Sequence, residues 1–266
     1  MDRVYENGWD TLTIGERIGY IGLEFQDVPY VAGTLDREEQ EVCNLLFDEL
    51  DCVTYMELVV NLARSVSIYD TVTADDLTNE IIYTRYRGGE LDGYASRLHY
   101  TSEWIIDNGE KSVIENITEE LGGVEIDFGL NFMSKNTKYY PKLAEEENLE
   151  VVEQIEDFIN EGPNFYIPKS KVAGIENQLK TGDIIAITSS VKGLDYNHVG
   201  FVYVDESGTR RFMHASLGKK KVVLDKRLSE YLNSVEKHTG ITVLRPLETD
   251  LIAEDEEEEI KIYYEY

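Results

Sequence analysis

The feature that most constrains the fold is an apolar run with no polar face. Residues 51–64, DCVTYMELVVNLAR, contain no glycine or proline and are long enough for a helix. Apolar side chains occupy nearly every side of that helix, which is typical of a helix inside a protein core. We therefore predict a buried central helix on which the rest of the chain packs.

Cys52 lies at the start of this predicted helix, directly after Asp51. Aspartate is a preferred N-cap residue, so the cysteine would sit in the first turn, where free N–H groups and the helix dipole favour a thiolate. The position predicts a nucleophile with a lowered thiol pKa. The alternative is an inert buried cysteine, which is the commoner fate of a cysteine on apolar sequence.

The charge balance excludes several classes of partner. Fifty-three acidic and 25 basic residues give a formal net charge of -28 over 266 residues. Such a chain repels nucleic acids and anionic membrane surfaces, so we expect neither as a partner. No stretch reaches the roughly 20 apolar residues of a membrane span, and the first residues lack a signal-peptide hydrophobic region. We expect a monomer that is cytoplasmic, or an envelope protein, periplasmic or secreted, whose leader was removed.

The two cysteines, Cys43 and Cys52, do not form a metal-binding pattern. They are separated by eight residues, without a C-x-x-C pair and without histidines at zinc-ligand spacing. We predict two free thiols and no metal site.

Helical patterns dominate the first part of the chain and strand patterns the second, which predicts an α+β fold. Residues 1–250 are predicted to form a single domain with a helical insertion at about 65–168, followed by an acidic, disordered tail at 251–266. Helices are predicted at 11–25, 38–50, from Thr73, 143–159 and 225–233, and strands at 183–188, 198–204, 210–216, 221–224 and 241–245.

Two of the four histidines lie on one predicted hairpin, whose strands 198–204 and 210–216 flank a turn-like loop. If Val204 lies opposite Arg210, then Gly200 lies opposite His214, and His198 and His214 share one face. Diagonal neighbours of this kind are about 7 to 8 Å apart, close enough for their side chains to interact. We predict that His198 is the base for Cys52 and that His214 orients its imidazole. The alternative for His214 is a half-buried strand residue with no catalytic role.

Aromatic residues are concentrated with arginine and histidine at 94–104, YASRLHYTSEW. Aromatic faces with a few polar groups suit sugar or peptide binding, although core packing explains tyrosine and tryptophan equally well.

Six short motifs, in order along nearly the whole chain, resemble the N-acetylmuramoyl-L-alanine amidase-like family, a branch of the NlpC-type papain-like cysteine peptidases and amidases. The motifs are PYVAGTL at 29–35, LDCVTY at 50–55, RLHY at 97–100, TGDI at 181–184, NHVG at 197–200 and HAS at 214–216. The resemblance implies a papain-like core in which the catalytic helix packs on an antiparallel sheet.

The resemblance also implies roles for particular residues. Cys52 is the nucleophile, His198 the base and His214 the third polar residue, while Tyr30 faces the nucleophile and helps to hold the oxyanion. The substrate groove is lined by the segment that carries Arg97, Tyr100 and Trp104.

The activity that the resemblance implies is cofactor-independent hydrolysis of the bond between N-acetylmuramic acid and L-alanine in peptidoglycan or a muropeptide. Two alternatives remain: an endopeptidase that cuts the stem peptide after D-glutamate, and a catalytically inactive wall-binding module.

Overall fold

The computed structural model describes residues 1–249, so the predicted tail at 251–266 lies outside the described residues. The α-helices are α1 (Asp2–Glu6), α2 (Ile14–Glu24), α3 (Cys52–Ile68), α4 (Ala74–Arg85), α5 (Thr101–Glu110), α6 (Phe132–Lys135), α7 (Glu146–Glu161), α8 (Lys169–Ile175) and α9 (Leu228–Asn233). The strands are β1 (Ile114–Asn116), β2 (Val124–Glu125), β3 (Phe165–Pro168), β4 (Ile184–Ser189), β5 (Tyr196–Val204), β6 (Arg210–Ser216), β7 (Lys221–Arg227) and β8 (His238–Pro246).

All eight strands join one antiparallel sheet in the order β2-β3-β8-β4-β5-β6-β7, with β1 also paired to β8. The α+β class and the antiparallel sheet are therefore confirmed. The stretch predicted as a helical insertion, 65–168, also supplies β1, β2 and β3. These strands have only two to four residues, too few for a period of two to stand out in the sequence.

The predicted central helix is confirmed as α3. The Asp51 side chain accepts hydrogen bonds from the N–H groups of Val53 at 3.1 Å and Thr54 at 2.8 Å, and the Thr54 hydroxyl accepts from the Asp51 N–H at 2.9 Å. This reciprocal cap fixes the start of the helix. Every residue of α3 from Thr54 to Val66 is buried, because α2 and α4 cover one side and β5 and β6 the other.

The helix predicted at 38–50 is absent, and those residues form an irregular segment. Its side chains bind several separate elements: the Glu41 carboxylate accepts a hydrogen bond from the Tyr86 hydroxyl at 3.1 Å and pairs with Lys142 at 3.5 Å. These tertiary contacts outweigh the helical pattern of the acidic sequence. Both cysteines are free thiols, as predicted.

A short segment, residues 27–31, is bonded through its backbone on two sides. On one side the Tyr30 N–H donates to the Lys220 carbonyl at 2.9 Å, in the turn between β6 and β7. On the other side the Val31 N–H donates to the Leu50 carbonyl at 3.1 Å, two residues before α3 begins. The segment thus connects the start of the central helix to a turn of the sheet.

A buried polar stripe joins α3 to α4. The Arg85 Nε donates to Glu57 Oε2 at 2.7 Å, with side-chain exposures of 4% and 2%, and the Asn61 amide donates to the Thr84 hydroxyl at 2.7 Å. Removing one partner of a buried ion pair leaves the other charge unpaired in a low-dielectric interior.

Replacing Glu57 should therefore destabilise the fold strongly. We expect Glu57→Ala to lower the free energy of unfolding by about 3–5 kcal/mol, measured by chemical denaturation. Glu24→Ala, which removes the exposed Arg3–Glu24 pair, is the matched control and should change it little. Equal effects of the two variants would contradict this account of the stripe.

No helix within residues 1–249 is both long enough and apolar enough to cross a membrane.

Candidate active site

Cys52 is the first residue of α3, and α3 packs against strand β5 of the sheet. The backbone N–H groups of Val199, Cys52 and Val53 lower the pKa of its thiol, but burial of the sulfur, and then the charge of Asp51, raise that pKa to about 12. The predicted lowering of the thiol pKa is therefore wrong, because desolvation outweighs the helix N-terminus. Cys52 is a neutral thiol at rest.

The predicted register of the β5–β6 hairpin is confirmed. Val204 lies opposite Arg210, and Val202 lies opposite Phe212. Gly200 faces His214 so closely that a Cβ added to it would lie 2.8 Å from the His214 Cβ and 2.7 Å from the Met213 carbonyl oxygen. A larger residue at 200 would displace the strand that carries His214.

His198 and His214 contact each other directly. His198 Nε2 lies 2.6 Å from His214 Nδ1, and the two rings meet edge to face with centroids 4.7 Å apart. His214 is 0% exposed. Burial lowers the pKa of both rings, for His198 well below the usual value with further contributions from His214 and His238. Both imidazoles are therefore neutral at rest, as a general base requires.

Asp225 on β7 extends this pair and was not predicted from the sequence. Its Oδ2 lies 3.5 Å from His214 Nε2 and 2.8 Å from Lys219 Nζ. The contact with His214, with help from Lys219, lowers the pKa of the Asp225 carboxyl, which is ionised at neutral pH. The signal was in the sequence: a turn that sets Ser216 opposite Lys221 brings Asp225 diagonal to His214. Residues 225–227 were instead assigned to a helix, which begins at Leu228.

Tyr231 on α9 covers the histidine pair from the other side. Its ring centroid lies 4.8 Å from that of His214 and 6.2 Å from that of His198. It also contacts His238, which is buried at the start of β8. Burial lowers the pKa of His238 to about 4.

Cys52 and His198 line one cleft of about 320 Å³. Two of the residues predicted to bind substrate, Arg97 and Tyr100, line it as well. The Arg97 guanidinium pairs with Asp36 and lies 3.5 Å from Glu41, while the Tyr100 hydroxyl donates to Glu156 at 2.6 Å. The cleft therefore brings the predicted nucleophile and base together with polar groups that are already held in place.

The other two predicted residues lie elsewhere. Trp104 is 3% exposed and packs in the main core, so the structure does not bring it to the cleft. Tyr30 is half-buried beside the start of α3, where burial, and to a lesser extent the nearby carboxylate of Asp51, raise the pKa of its phenol. Its phenol therefore stays protonated and can donate a hydrogen bond.

A buried carboxylate in the cleft, Asp195, was also missed. It accepts hydrogen bonds at 2.8 Å from both the backbone N–H and the hydroxyl of Ser102, and burial raises its pKa. It precedes β5 in a segment without a recognisable pattern, so only the tertiary structure reveals it. Within residues 1–249, no three His, Cys, Asp or Glu side chains converge in an arrangement that could hold a metal ion.

Solved structures share this fold, two of them at about a third of sequence identity. The N-acetylmuramoyl-L-alanine amidase from Bacteroides uniformis ATCC 8492 is 33% identical, with a TM-score of 0.82 over 88% of this chain and 98% of that one. A putative xylanase from Bacteroides fragilis is 32% identical, with a TM-score of 0.78 over 85% and 99% of the two chains. A Legionella pneumophila protein, 22% identical with a TM-score of 0.69 over 92% and 93%, shares the fold.

No curated protein sequence matches the chain significantly. A protein-family model, in contrast, does match it. The model of the AmiA-like, N-acetylmuramoyl-L-alanine amidase-like family matches residues 20–241, which include Cys52, His198, His214 and Asp225. This chain belongs to the AmiA-like, N-acetylmuramoyl-L-alanine amidase-like family.

Proposed function

We propose that this protein is a cysteine-dependent peptidoglycan amidase that cleaves the bond between N-acetylmuramic acid and L-alanine of the stem peptide. The observation that carries the proposal is the convergence on one cleft of Cys52, at a helix N-terminus, and His198, hydrogen-bonded to a buried second histidine. The family and the amidase from Bacteroides uniformis support the bond chosen.

The proposed core is NlpC-type and papain-like. A nucleophile at the first turn of a buried helix, packed on an antiparallel sheet whose strands carry the base and its orienting residue, is consistent with that placement. A peptidoglycan substrate would place the protein in the cell envelope or outside the cell.

In the first step the Cys52 sulfur attacks the lactyl amide carbonyl while His198 takes the thiol proton. Since the thiol and the imidazole are both neutral at rest, the proton leaves as the sulfur–carbon bond forms. The oxyanion would accept hydrogen bonds from the Cys52 backbone N–H, in the first turn of α3, and from the Tyr30 phenol.

In the second step the His198 imidazolium donates its proton to the leaving amine of L-alanine, and the C–N bond breaks. The muramoyl group is then a thioester on Cys52. Water, deprotonated by His198, attacks the thioester, and the thiolate leaves and takes the proton back. The products are a muramic acid carboxylate and a stem peptide with a free amino terminus.

Product analysis tests the bond choice. We expect a muropeptide of defined structure to yield a sugar without peptide and an intact stem peptide, identified by mass spectrometry. If the sugar product keeps L-alanine and D-glutamate, the protein is an endopeptidase. If intact wall, muropeptides and anhydro-sugar fragments are all left uncleaved, the protein is a binding module.

Inhibitors test the chemistry in the same assay. Iodoacetamide should abolish turnover, because it blocks the sulfur. EDTA should leave the rate unchanged, since the proposed steps use only side chains and water. Loss of activity in EDTA that zinc restores would overturn the cysteine mechanism.

A further inference from the structure

The groups behind His198 form a continuous line that ends at the protein surface. His198 Nε2 contacts His214 Nδ1 at 2.6 Å, His214 Nε2 faces Asp225 Oδ2 at 3.5 Å, and the same oxygen lies 2.8 Å from Lys219 Nζ. The His214 ring is completely buried, whereas the Lys219 side chain is 50% exposed. Asp225 is also held by the Lys226 N–H, which donates to its Oδ1 at 2.7 Å.

Protons can be donated along this line in either of two directions, which differ in the tautomers of His214 and His198. A neutral imidazole carries its proton on one nitrogen and accepts with the other. If His214 carries the proton on Nδ1, it donates to His198 Nε2, and His198 must hold its own proton on Nδ1. His198 then has no free lone pair on the nitrogen left to face a thiol. If His214 carries the proton on Nε2, every assignment reverses, and His198 Nδ1 is free to act as the base.

The carboxylate of Asp225 selects between these two states. An ionised carboxylate only accepts hydrogen bonds, so it favours a proton on the nitrogen that it faces, His214 Nε2. We propose that Asp225 and Lys219 are a positioning pair: Asp225 fixes the tautomers of His214 and His198 so that His198 Nδ1 is the base, and Lys219 prevents Asp225 from turning His214 into an imidazolium. The inference deepens the proposed function and rests on it.

The role of Lys219 follows from the charges around His214. Burial and Lys219, in the β6–β7 turn, oppose a positive charge on the ring, whereas Asp225 on β7 and the Ala215 backbone favour it. His198 on β5 and His238 on β8 are neutral neighbours. Tyr231 on α9 contacts the ring as a neutral phenol. Lys219 binds Asp225 directly, so its removal strengthens the pull of the carboxylate.

A doubly protonated His214 would donate from both nitrogens. His198 would then have to accept with Nε2 and carry its own proton on Nδ1, so that Nδ1 could no longer take the thiol proton.

Nitrogen-15 NMR of histidine-labelled protein tests the tautomers without any substrate. In the wild type we expect His214 to be protonated at Nε2 and unprotonated at Nδ1, and His198 likewise. In Asp225→Asn, whose amide can donate as well as accept, we expect both rings to become tautomer mixtures. His99, held by the Tyr94 carbonyl at 2.8 Å, is the internal control for folding and should not change. A wild-type His214 protonated at Nδ1, or unchanged tautomers in a folded Asp225→Asn, would overturn the inference.

Kinetics test the role of Lys219. For Lys219→Met we expect the acidic limb of kcat/KM to move to higher pH by about 1 unit, because His214 would now accept a proton more readily. For Asp225→Asn we expect kcat to fall on the order of 10- to 100-fold with KM little changed. Lys220→Met, the exposed neighbouring lysine, is the matched control and should keep the wild-type profile.

If the acidic limb of kcat/KM does not move in Lys219→Met, or if it moves equally in Lys220→Met, the proposed role of Lys219 is wrong. If the wild type turns over no muropeptide, the proposed function fails, and the NMR experiment still decides the tautomers.

Discussion

Replacing Cys52 by alanine or serine should abolish hydrolysis while the protein stays folded. Every proposed covalent step passes through this sulfur, and the loss of a catalytic nucleophile typically costs on the order of 10⁴-fold or more in kcat. The rate of amine release from a defined muropeptide measures the effect, with circular dichroism as the check on folding. Because the Cys52 side chain does not cap α3, neither variant should unfold the helix.

Cys43→Ala is the matched control and should retain turnover. Burial raises the pKa of the Cys43 thiol, and the sulfur packs near Arg85, away from the residues that line the cleft. If Cys43→Ala were inactive and Cys52→Ala active, the assignment of the nucleophile would be wrong.

The pH dependence of alkylation distinguishes a thiol from a stored thiolate at Cys52. A thiol pKa raised to about 12 means that the thiolate fraction grows with pH throughout the neutral and mildly alkaline range. The rate of reaction with iodoacetamide, followed on Cys43→Ala, should therefore keep rising above pH 9. A plateau already reached at neutral pH would show a preformed thiolate and would contradict concerted proton transfer.

Replacing His198 by alanine should remove general-base catalysis, a loss of about 10²- to 10⁴-fold. His214→Ala should also slow turnover greatly, on the order of 10²-fold or more, because His198 loses the group that orients it. Asn or Gln at 214 should restore part of the rate, since either amide can still accept the imidazole N–H. The measurement is kcat on a defined muropeptide.

A folded His214→Ala enzyme with a normal rate would remove His214 from the catalytic arrangement. His99→Gln is a matched control, because His99 lines the same cleft but contacts the Tyr94 carbonyl rather than the base. It should affect kcat far less than the His198 variant.

Local patterns in the sequence predicted the elements that carry the chemistry. The central helix and its cap follow from residues 51–64, and the turn at 205–209 was enough to derive the hairpin register that brings His198 and His214 together. Both depend on neighbours within about twenty residues. The resemblance to a family supplied the order of the motifs and the proposed reaction.

The features that were missed depend on burial and on distant contacts. A helix N-terminus indicates a lower thiol pKa, but the desolvation that reverses the shift at Cys52 comes from the packed sheet and cannot be read from the helix alone. Trp104 and Tyr100 occur in one aromatic segment, yet only Tyr100 reaches the cleft. Asp225 could have been found, because the same register reasoning applies to the β6–β7 hairpin.

The segment at 27–31 helps to set the distance between Cys52 and the residues behind His198. It bonds to the Lys220 carbonyl, one residue beyond Lys219, and to the Leu50 carbonyl, two residues before Cys52. The start of the helix that carries Cys52 and the turn that carries Lys219 are therefore both hydrogen-bonded to this one segment, which acts as a backbone brace between them. A shorter protein that began after this brace would keep Cys52, His198 and His214 but would lose the Tyr30 phenol, and the two halves of the site would also lose the link that sets their separation.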